Sequence, residues 1–185
     1  KVQRLLLSRR EEPAPLQVFP ESLLFCDATR LVWWRPSEVR PMYLRDTEGK
    51  PSVIMTRWPN LVFHVADRTL AVATFEGTAR PNASTRLLHS TLPNVYEDTA
   101  VCTGDATLPV GSAVDEIPQW EAVIYETAFT HSNNSRALRR GRAKDPMDVE
   151  DFWRARDGAV DAFPYKRAAG AGVTLGQWLA EGGRA

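Results

Sequence analysis

Short apolar runs separated by turn-forming residues fill the chain from residue 16 to residue 76. Such runs are typical of antiparallel strands in a meander rather than of helices. Turn-forming residues at 27–30 separate two of the runs and predict a hairpin, and Asp67 and Arg68 join the clearest pair tightly. Strands are therefore predicted at residues 22–26, 31–35, 42–45, 61–66 and 69–75. The last of these strands is apolar on both sides, which favours burial on both faces.

Residues 77–113 lack sustained periodicity and contain three prolines and three glycines. This composition predicts a long irregular segment that carries at most short strands. Irregular segments of this length inside a compact domain are usually functional, so candidate chemistry is expected here.

Apolar residues recur at helical spacing after the irregular segment. They are Ile117, Trp120, Ile124 and Ala128. A helix is predicted over 118–128, because proline is tolerated in a first turn. Two shorter helices are predicted over 149–156 and 175–181, and Asp148 and Thr174 are their candidate N-caps.

Strands followed by a long loop and then by helices indicate an α+β domain. Residues 1–15 are expected to form an N-terminal extension, and residues 16–185 a single domain. The glycine-rich residues 170–172 are expected to separate the last helix from the body. A run of basic residues between 136 and 146 predicts an exposed loop, which can also dock an acidic surface. The run comprises Arg136, Arg139, Arg140, Arg142 and Lys144.

The 23 basic and 23 acidic residues balance, so no overall field draws the chain to nucleic acid or to an anionic membrane. No apolar stretch approaches the roughly 18 residues of a membrane span. A cytoplasmic protein is therefore expected. Neither Cys26 nor Cys102 has a second cysteine or a histidine at metal-ligand spacing, so no metal and no cofactor are expected.

The irregular segment contains Leu92-Pro93-Asn94, and Cys102 follows Asn94 by eight residues. This stretch resembles the active-site segment of ubiquitin-conjugating enzymes, in which His-Pro-Asn precedes the catalytic cysteine by the same interval. The order of a strand meander, this segment and then an amphipathic helix also matches that family. The resemblance implies a fold with a four-strand antiparallel meander, a long active-site loop and C-terminal helices.

A wider resemblance is to a bacterial group of this superfamily, PRTRC system protein B (prokaryotic ubiquitin-conjugating family D). It is carried by residues 23–25, 32–36, 80–81, 85–87, 94–96, 101–102 and 129–131. The resemblance implies a ubiquitin-like protein and a ThiF-like activating protein as partners, with a JAB-type metallopeptidase in the same cassette. It also implies an acyltransferase that accepts the ubiquitin-like protein as a thioester on Cys102 and transfers it to an acceptor nucleophile.

The residue types suit this chemistry. A cysteine is a competent nucleophile even with a pKa near ~8.5, so Cys102 needs no dedicated strong base. Acyl transfer develops negative charge on a carbonyl oxygen, and a fixed carboxamide such as that of Asn94 can stabilise it. Pro93 would stiffen the turn that presents Asn94.

The chain departs from the family pattern in two places. Leu92 replaces the histidine of His-Pro-Asn, which threatens local rigidity more than the reaction, and an apolar contact can substitute for it. Where the family carries an acidic residue beyond the helix, this chain has His131, Asn133 and Asn134. His131 can act as a base near neutral pH, since the unperturbed pKa of histidine is ~6.5.

Other interpretations stay open. Cys102 can be a small buried hydrophobe, Asn94 a turn residue and His131 a favourable helix-end residue. The whole chain can be a catalytically inactive interaction subunit, or a thiol hydrolase in which His131 or His89 serves Cys102. Cys26, next to Phe25 in a predicted strand, is expected in the core. His64 and His89 are expected to be structural.

Overall fold

The computed structural model describes residues 18–46, 48–139 and 148–185. The predicted N-terminal extension lies outside these residues, as do Arg140, Arg142 and Lys144 of the basic run. The strands are β1 Leu23–Cys26, β2 Arg30–Arg35, β3 Val39–Arg45, β4 Pro51–Arg57, β5 Asn60–Ala66, β6 Thr69–Phe75, β7 Arg86–Leu88 and β8 Gly170–Thr174. The α-helices are α1 Ile117–Tyr125, α2 Val149–Arg154 and α3 Leu175–Ala180.

Six strands form one antiparallel sheet in the order β1-β2-β5-β6-β7-β8, and β3 and β4 form a separate two-stranded sheet. The chain is thus an α+β fold with a mostly antiparallel sheet. The predicted four-strand meander does not describe this sheet. Strands β1, β2, β5 and β6 are consecutive neighbours, but the β3–β4 hairpin leaves the sheet between β2 and β5, and β7 and β8 extend it.

The β5–β6 hairpin sets the register of the sheet centre. Its two turn residues, Asp67 and Arg68, have φ values of 47° and 61°. Two consecutive left-handed residues match the twist of the flanking strands, and such turns close two-residue hairpins. Ala66 pairs with Thr69 directly beside the turn. The strand predicted at 69–75 is confirmed with these bounds.

Two local predictions were wrong. Strand β3 begins at Val39 and runs through Pro41, whereas the prediction started it at residue 42. Proline is tolerated because the strand belongs to a two-stranded ribbon rather than to a sheet centre. The glycine-rich residues 170–172 lie in strand β8, which pairs with β7, so they do not separate α3 from the body.

Both faces of the large sheet are covered, as the apolar run of β6 predicted. The larger core cluster includes Phe63, which stacks on Trp33 at 4.8 Å between ring centroids, and the buried residues of α1. The smaller cluster lies on the opposite face, where Leu175 and Trp178 of α3 pack against Val62 and its neighbours. Helix α3 therefore closes the face that α1 leaves open.

The helix caps follow the sequence. Asp148 accepts a hydrogen bond from the Glu150 N–H, and Thr174 and Gln177 cap each other reciprocally. Helix α1 ends three residues earlier than predicted, because Phe129 is held by β3: its N–H donates to the Tyr43 carbonyl at 2.9 Å. Among the described residues, no helix has the length and apolarity that crossing a membrane requires.

Candidate functional site

Residues 94–102 form a small hairpin against the beginning of β6. Val95 pairs with Val101, and the Tyr96 N–H donates to the Ala100 carbonyl at 2.8 Å. The Val101 N–H then donates to the Leu70 carbonyl at 2.9 Å, which joins the hairpin to the sheet. The hairpin occupies the part of the β6 edge that β7 leaves free, since β7 pairs only with Thr74 and Phe75.

Asn94 and Cys102 meet across the open end of this hairpin. The Cys102 N–H donates to the Asn94 carbonyl at 2.8 Å, and Asn94 Nδ2 donates to the Cys102 carbonyl at 3.2 Å. Both residues are half-buried, and Cys102 is a free thiol. An amide nitrogen carries two hydrogens, so one remains for a further acceptor. Asn94 Oδ1 is buried without a hydrogen-bond partner in the described part of the chain.

Tyr96 is a site residue that sequence reasoning missed. It lies two positions after Asn94 in the hairpin and is 43% exposed. Hydrogen bonding to the Cys102 side chain raises the pKa of Tyr96 above its ordinary value. A phenol hydroxyl that donates to a thiol or thiolate loses its proton less readily. Residues two apart in a strand lie on the same side, but using this alternation requires the register of the hairpin, which the sequence did not show.

Leu92 stands in the position of the family's histidine and is 1% exposed within the larger core cluster. Trp153, also in that cluster, donates from Nε1 to the carbonyl of Thr91 at 2.6 Å. Burial of an apolar side chain and a buried hydrogen bond therefore hold the entry to the hairpin. Pro93 is buried as well.

The segment that follows α1 is joined to the site by a main-chain hydrogen bond. The Asn133 N–H donates to the Pro93 carbonyl at 2.8 Å. Asn134 is 2% exposed, and its Oδ1 accepts a hydrogen bond from the Arg136 N–H. His131 is exposed, and its Nδ1 is 2.8 Å from Thr130 Oγ1 in a hydrogen bond that does not involve Cys102. Of the three predicted residues, Asn133 is the one joined directly to the Pro93–Asn94 turn.

The side-chain amides of Asn133 and Asn134 add to the polar character of this region. Each has a buried Nδ2 without a hydrogen-bond partner in the ranges that the structure covers. Together with Asn94 Oδ1, these atoms give the surroundings of the hairpin unused donors and acceptors but no charge. Neutral amides can orient an incoming nucleophile by hydrogen bonding, whereas they cannot take its proton.

Of the other two histidines, His64 is buried and His89 is half-buried. His64 is 2% exposed, and its ring contacts Trp178 with 5.7 Å between centroids. His89 is half-buried, and its main-chain N–H donates to the Ala169 carbonyl. Burial lowers the pKa of both imidazoles below the ordinary value. The packing of the His64 ring on Trp178 fits the structural role expected for His64.

Cys26 is exposed, and its predicted place in the core was wrong. It ends β1, the edge strand of the large sheet, where Phe25 is exposed too. Partial burial and the neighbouring carboxylate of Asp27 raise the pKa of its thiol. The surface thiol beside a negative charge is thus a weak nucleophile.

Among the described residues, no three His, Cys, Asp or Glu side chains converge as a metal site would require. The basic run is described only in part: Arg136 pairs with Glu97 on the surface, and Arg139 Nε donates to the Ala168 carbonyl at 2.9 Å. These contacts place the beginning of the run beside the hairpin arm that carries Glu97.

Comparison with known proteins identifies the family. The sequence model of Prokaryotic E2 family D matches residues 1–167, which include the hairpin and the loop after α1. Searches of curated proteins and of solved structures gave no match. The resemblance to ubiquitin-conjugating proteins of bacteria is thereby confirmed, and with it a role related to ubiquitin-like conjugation. The chain belongs to prokaryotic E2 family D.

Proposed function

We propose that this chain is an acyltransferase that carries a ubiquitin-like protein as a thioester on Cys102 and passes it to an acceptor nucleophile. The observation that carries the proposal is the arrangement of the hairpin end. Cys102 has a half-buried free thiol, and its main-chain carbonyl accepts a hydrogen bond from the Asn94 carboxamide.

The first step exchanges one thioester for another. The Cys102 sulfur forms a bond to the C-terminal carbonyl carbon of the ubiquitin-like protein, and the bond between that carbon and the thiol of a ThiF-like activating protein breaks. The activating thiol leaves with the proton that Cys102 gives up. Adenylation, with ATP and magnesium, belongs to the activating protein, so this chain needs no cofactor of its own.

In the second step an acceptor amine or hydroxyl attacks the same carbonyl carbon. Negative charge develops on the carbonyl oxygen, and the remaining N–H of Asn94 is available to stabilise it. The carbon–sulfur bond then breaks, the Cys102 thiol is regenerated, and the acceptor proton passes to solvent or to His131. A JAB-type metallopeptidase would reverse the conjugation or process the ubiquitin-like protein.

The test reconstitutes the chain with a ubiquitin-like protein and a ThiF-like activating protein of the kind that the family resemblance implies, with ATP and magnesium. We expect an adduct that a thiol reductant cleaves and that Cys102→Ala abolishes. Cys102→Ser should give either no adduct or one that survives reductant, because an ester replaces the thioester. Cys26→Ala is the matched control and should retain the adduct.

Asn94→Ala should form the adduct but discharge it about 10²-fold more slowly, the usual cost of losing an oxyanion donor. A stable complex of the three proteins without any adduct would instead support the second candidate, a catalytically inactive interaction subunit. That candidate is favoured by the replacement of an acid beyond α1 by exposed His131 and uncharged Asn133 and Asn134. Adduct formation on Cys26 would contradict both candidates.

A further inference from the structure

Thr99, three residues before Cys102, has an unusual backbone conformation. Its φ is 73°, in the left-handed region, and its side chain is 1% exposed. A β-branched residue rarely adopts this conformation, which costs on the order of 1–3 kcal/mol and persists only where surrounding contacts offset that cost. The strain lies in the tip of the hairpin that presents the nucleophile.

The residues that hold Thr99 come from the end of the chain. Trp178 donates from Nε1 to Thr99 Oγ1 at 2.9 Å, and Thr99 Oγ1 donates to the Gly183 carbonyl at 2.6 Å. The main chain is fixed as well, since the Thr99 carbonyl accepts from the Val72 N–H at 2.9 Å. A single buried hydroxyl thus joins the hairpin tip to α3 and to the residues after it.

We call β8, α3 and the following residues up to Gly183 the C-terminal arm. Trp178 of the arm is fully buried in the smaller core cluster against His64. Gly183 has a φ of +81°, and a Cβ atom at this position would lie 2.5 Å from His64 Nδ1. Its N–H donates to the Trp178 carbonyl at 2.8 Å. The end of the arm is therefore wedged between His64 and Thr99, where only glycine fits.

We propose that the C-terminal arm positions the nucleophile. Trp178 and Gly183 hold Thr99, and Thr99 in turn fixes the hairpin conformation that places the Cys102 thiol. That Cys102 is a nucleophile rests on the proposed function. The connection from the C-terminal arm through Thr99 to the hairpin rests only on the contacts described above. Neither residue contacts the reacting atoms, so both are positioning residues. The family match ends at residue 167, before the arm begins, and does not assign it this role.

Two adjacent glycines provide the main experiment. Gly182 has a φ of +68° and free space around its Cβ position, whereas Gly183 has a similar φ and a blocked position. Gly182→Ala and Gly183→Ala therefore impose similar backbone strain, but only Gly183→Ala collides with His64 and displaces the carbonyl that Thr99 uses. Both are made in a Cys26→Ala background, so that Cys102 is the one thiol left to report.

The first readout is the rate at which iodoacetamide alkylates Cys102, followed over a range of pH. We expect Gly183→Ala to change this rate at least about fivefold relative to Gly182→Ala, since losing a buried hydrogen bond costs about 1–3 kcal/mol. The second readout is thioester discharge, which we expect to slow about tenfold on the same basis. Equal rates for the two variants in both readouts would overturn the proposal.

A second set of variants keeps the test decisive if Gly183→Ala does not fold. Thr99→Val removes the hydroxyl and keeps the branched shape, whereas Thr99→Ser keeps the hydroxyl and should restore the parent rates. Trp178→Phe removes the indole donor. Its control is Trp34→Phe, because Trp34 packs against the same cluster and its buried Nε1 has no partner among the residues described.

Thr99→Val removes both hydrogen bonds of the hydroxyl, whereas Trp178→Phe removes one of them. Both should alter Cys102 alkylation in the same direction, and the double variant should behave like Thr99→Val. Parent rates in Thr99→Val would refute the link. Alkylation needs no ubiquitin-like protein, so the two proposals fail separately. Changed alkylation without any thioester would contradict the acyltransferase and keep the positioning role. Thioester formation with alkylation and discharge rates that these variants leave unchanged would contradict the positioning role and keep the acyltransferase.

Discussion

At the scale of single residues, the carboxamide of Asn94 hydrogen-bonds the main chain of the residue whose sulfur it is proposed to assist. This proximity was expected from the resemblance to ubiquitin-conjugating enzymes, which share the eight-residue interval, and no local pattern of the segment predicted the hairpin that produces it. Tyr96 was not predictable in the same way. Which side of the hairpin faces the thiol depends on register, and register became visible only with the pairing of Val95 and Val101.

Tyr96→Phe tests the hydroxyl that faces the thiol. The phenol is hydrogen-bonded to the Cys102 side chain, so we expect the variant to alkylate at Cys102 about threefold more slowly, the modest cost of losing one hydrogen bond at an exposed residue. Tyr96 is a surface residue, so the free energy of unfolding should change by less than ~0.5 kcal/mol. Tyr43→Phe, at another exposed tyrosine, is the control. Faster alkylation in Tyr96→Phe would mean that the ring only shields the sulfur.

Leu92→His tests why this chain lacks the family's histidine. Leu92 is 1% exposed in an apolar cluster, so an imidazole there would be desolvated. We expect a loss of about 1–3 kcal/mol in the free energy of unfolding, measured with urea. Leu92→Met, which nearly conserves volume, should lose less than ~1.5 kcal/mol. A histidine variant as stable as the parent would show that the pocket supplies a hydrogen-bond partner.

At the scale of elements, the strands were predicted best where apolar residues are buried and polar residues are exposed. Strand β6 is apolar on both sides and lies between two strands, and its bounds were predicted correctly. Strand β4 was missed because its pattern of apolar and polar residues does not match its burial. The apolar Val53 and Met55 face solvent, whereas the polar Thr56 is fully buried. Strand β8 was missed because its glycines have weak strand propensity, and pairing with β7 overrides that preference.

Thr174→Ala tests the capping of α3. A helix of six residues is marginal by itself, so its cap and packing must maintain it. The Thr174 N–H donates to Gln177 Oε1 at 2.9 Å, and Thr174 Oγ1 accepts from the Gln177 N–H at 3.4 Å. We expect the free energy of unfolding to fall by about 1 kcal/mol in a denaturant titration. Thr174→Ser should retain most of the stability, and equal losses in both variants would assign the effect to the methyl group.

At the scale of the whole molecule, the sheet is covered on both faces, and the two layers meet at the hairpin. Leu92 and Val101 belong to the larger cluster on one face, whereas Thr99 is bonded from the other face by Trp178. The sequence indicated burial on both faces of β6 but not which segment covers the second face. The identity of the covering segment depends on a contact between residues 99 and 178. These residues are far apart in the sequence, so no local pattern predicts their contact.

Burial of two histidines predicts how stability depends on pH. The folded-state pKa values of His64 and His89 are lowered by burial, so the unfolded chain binds more protons than the folded chain below the ordinary pKa of ~6.5. Arg30 and Arg136 oppose protonation of His64 and His89 respectively, and Asp27 and Glu97 favour it, but desolvation is the largest cause in both cases. Stability is thus fully present above that pH and decreases as the pH falls below it.

The measurement is the free energy of unfolding by urea at half-unit steps from pH 8 to pH 5. We expect a level region above about pH 7 and a fall of up to ~1.4 kcal/mol per pH unit for each histidine that stays neutral in the fold. His64→Phe and His89→Phe should each reduce the slope, whereas His131→Phe should preserve it, because that side chain is exposed in the folded chain. If the slope survives both buried-histidine substitutions, the pH dependence comes from carboxylates, and the smaller core tolerates a charged imidazole against Trp178.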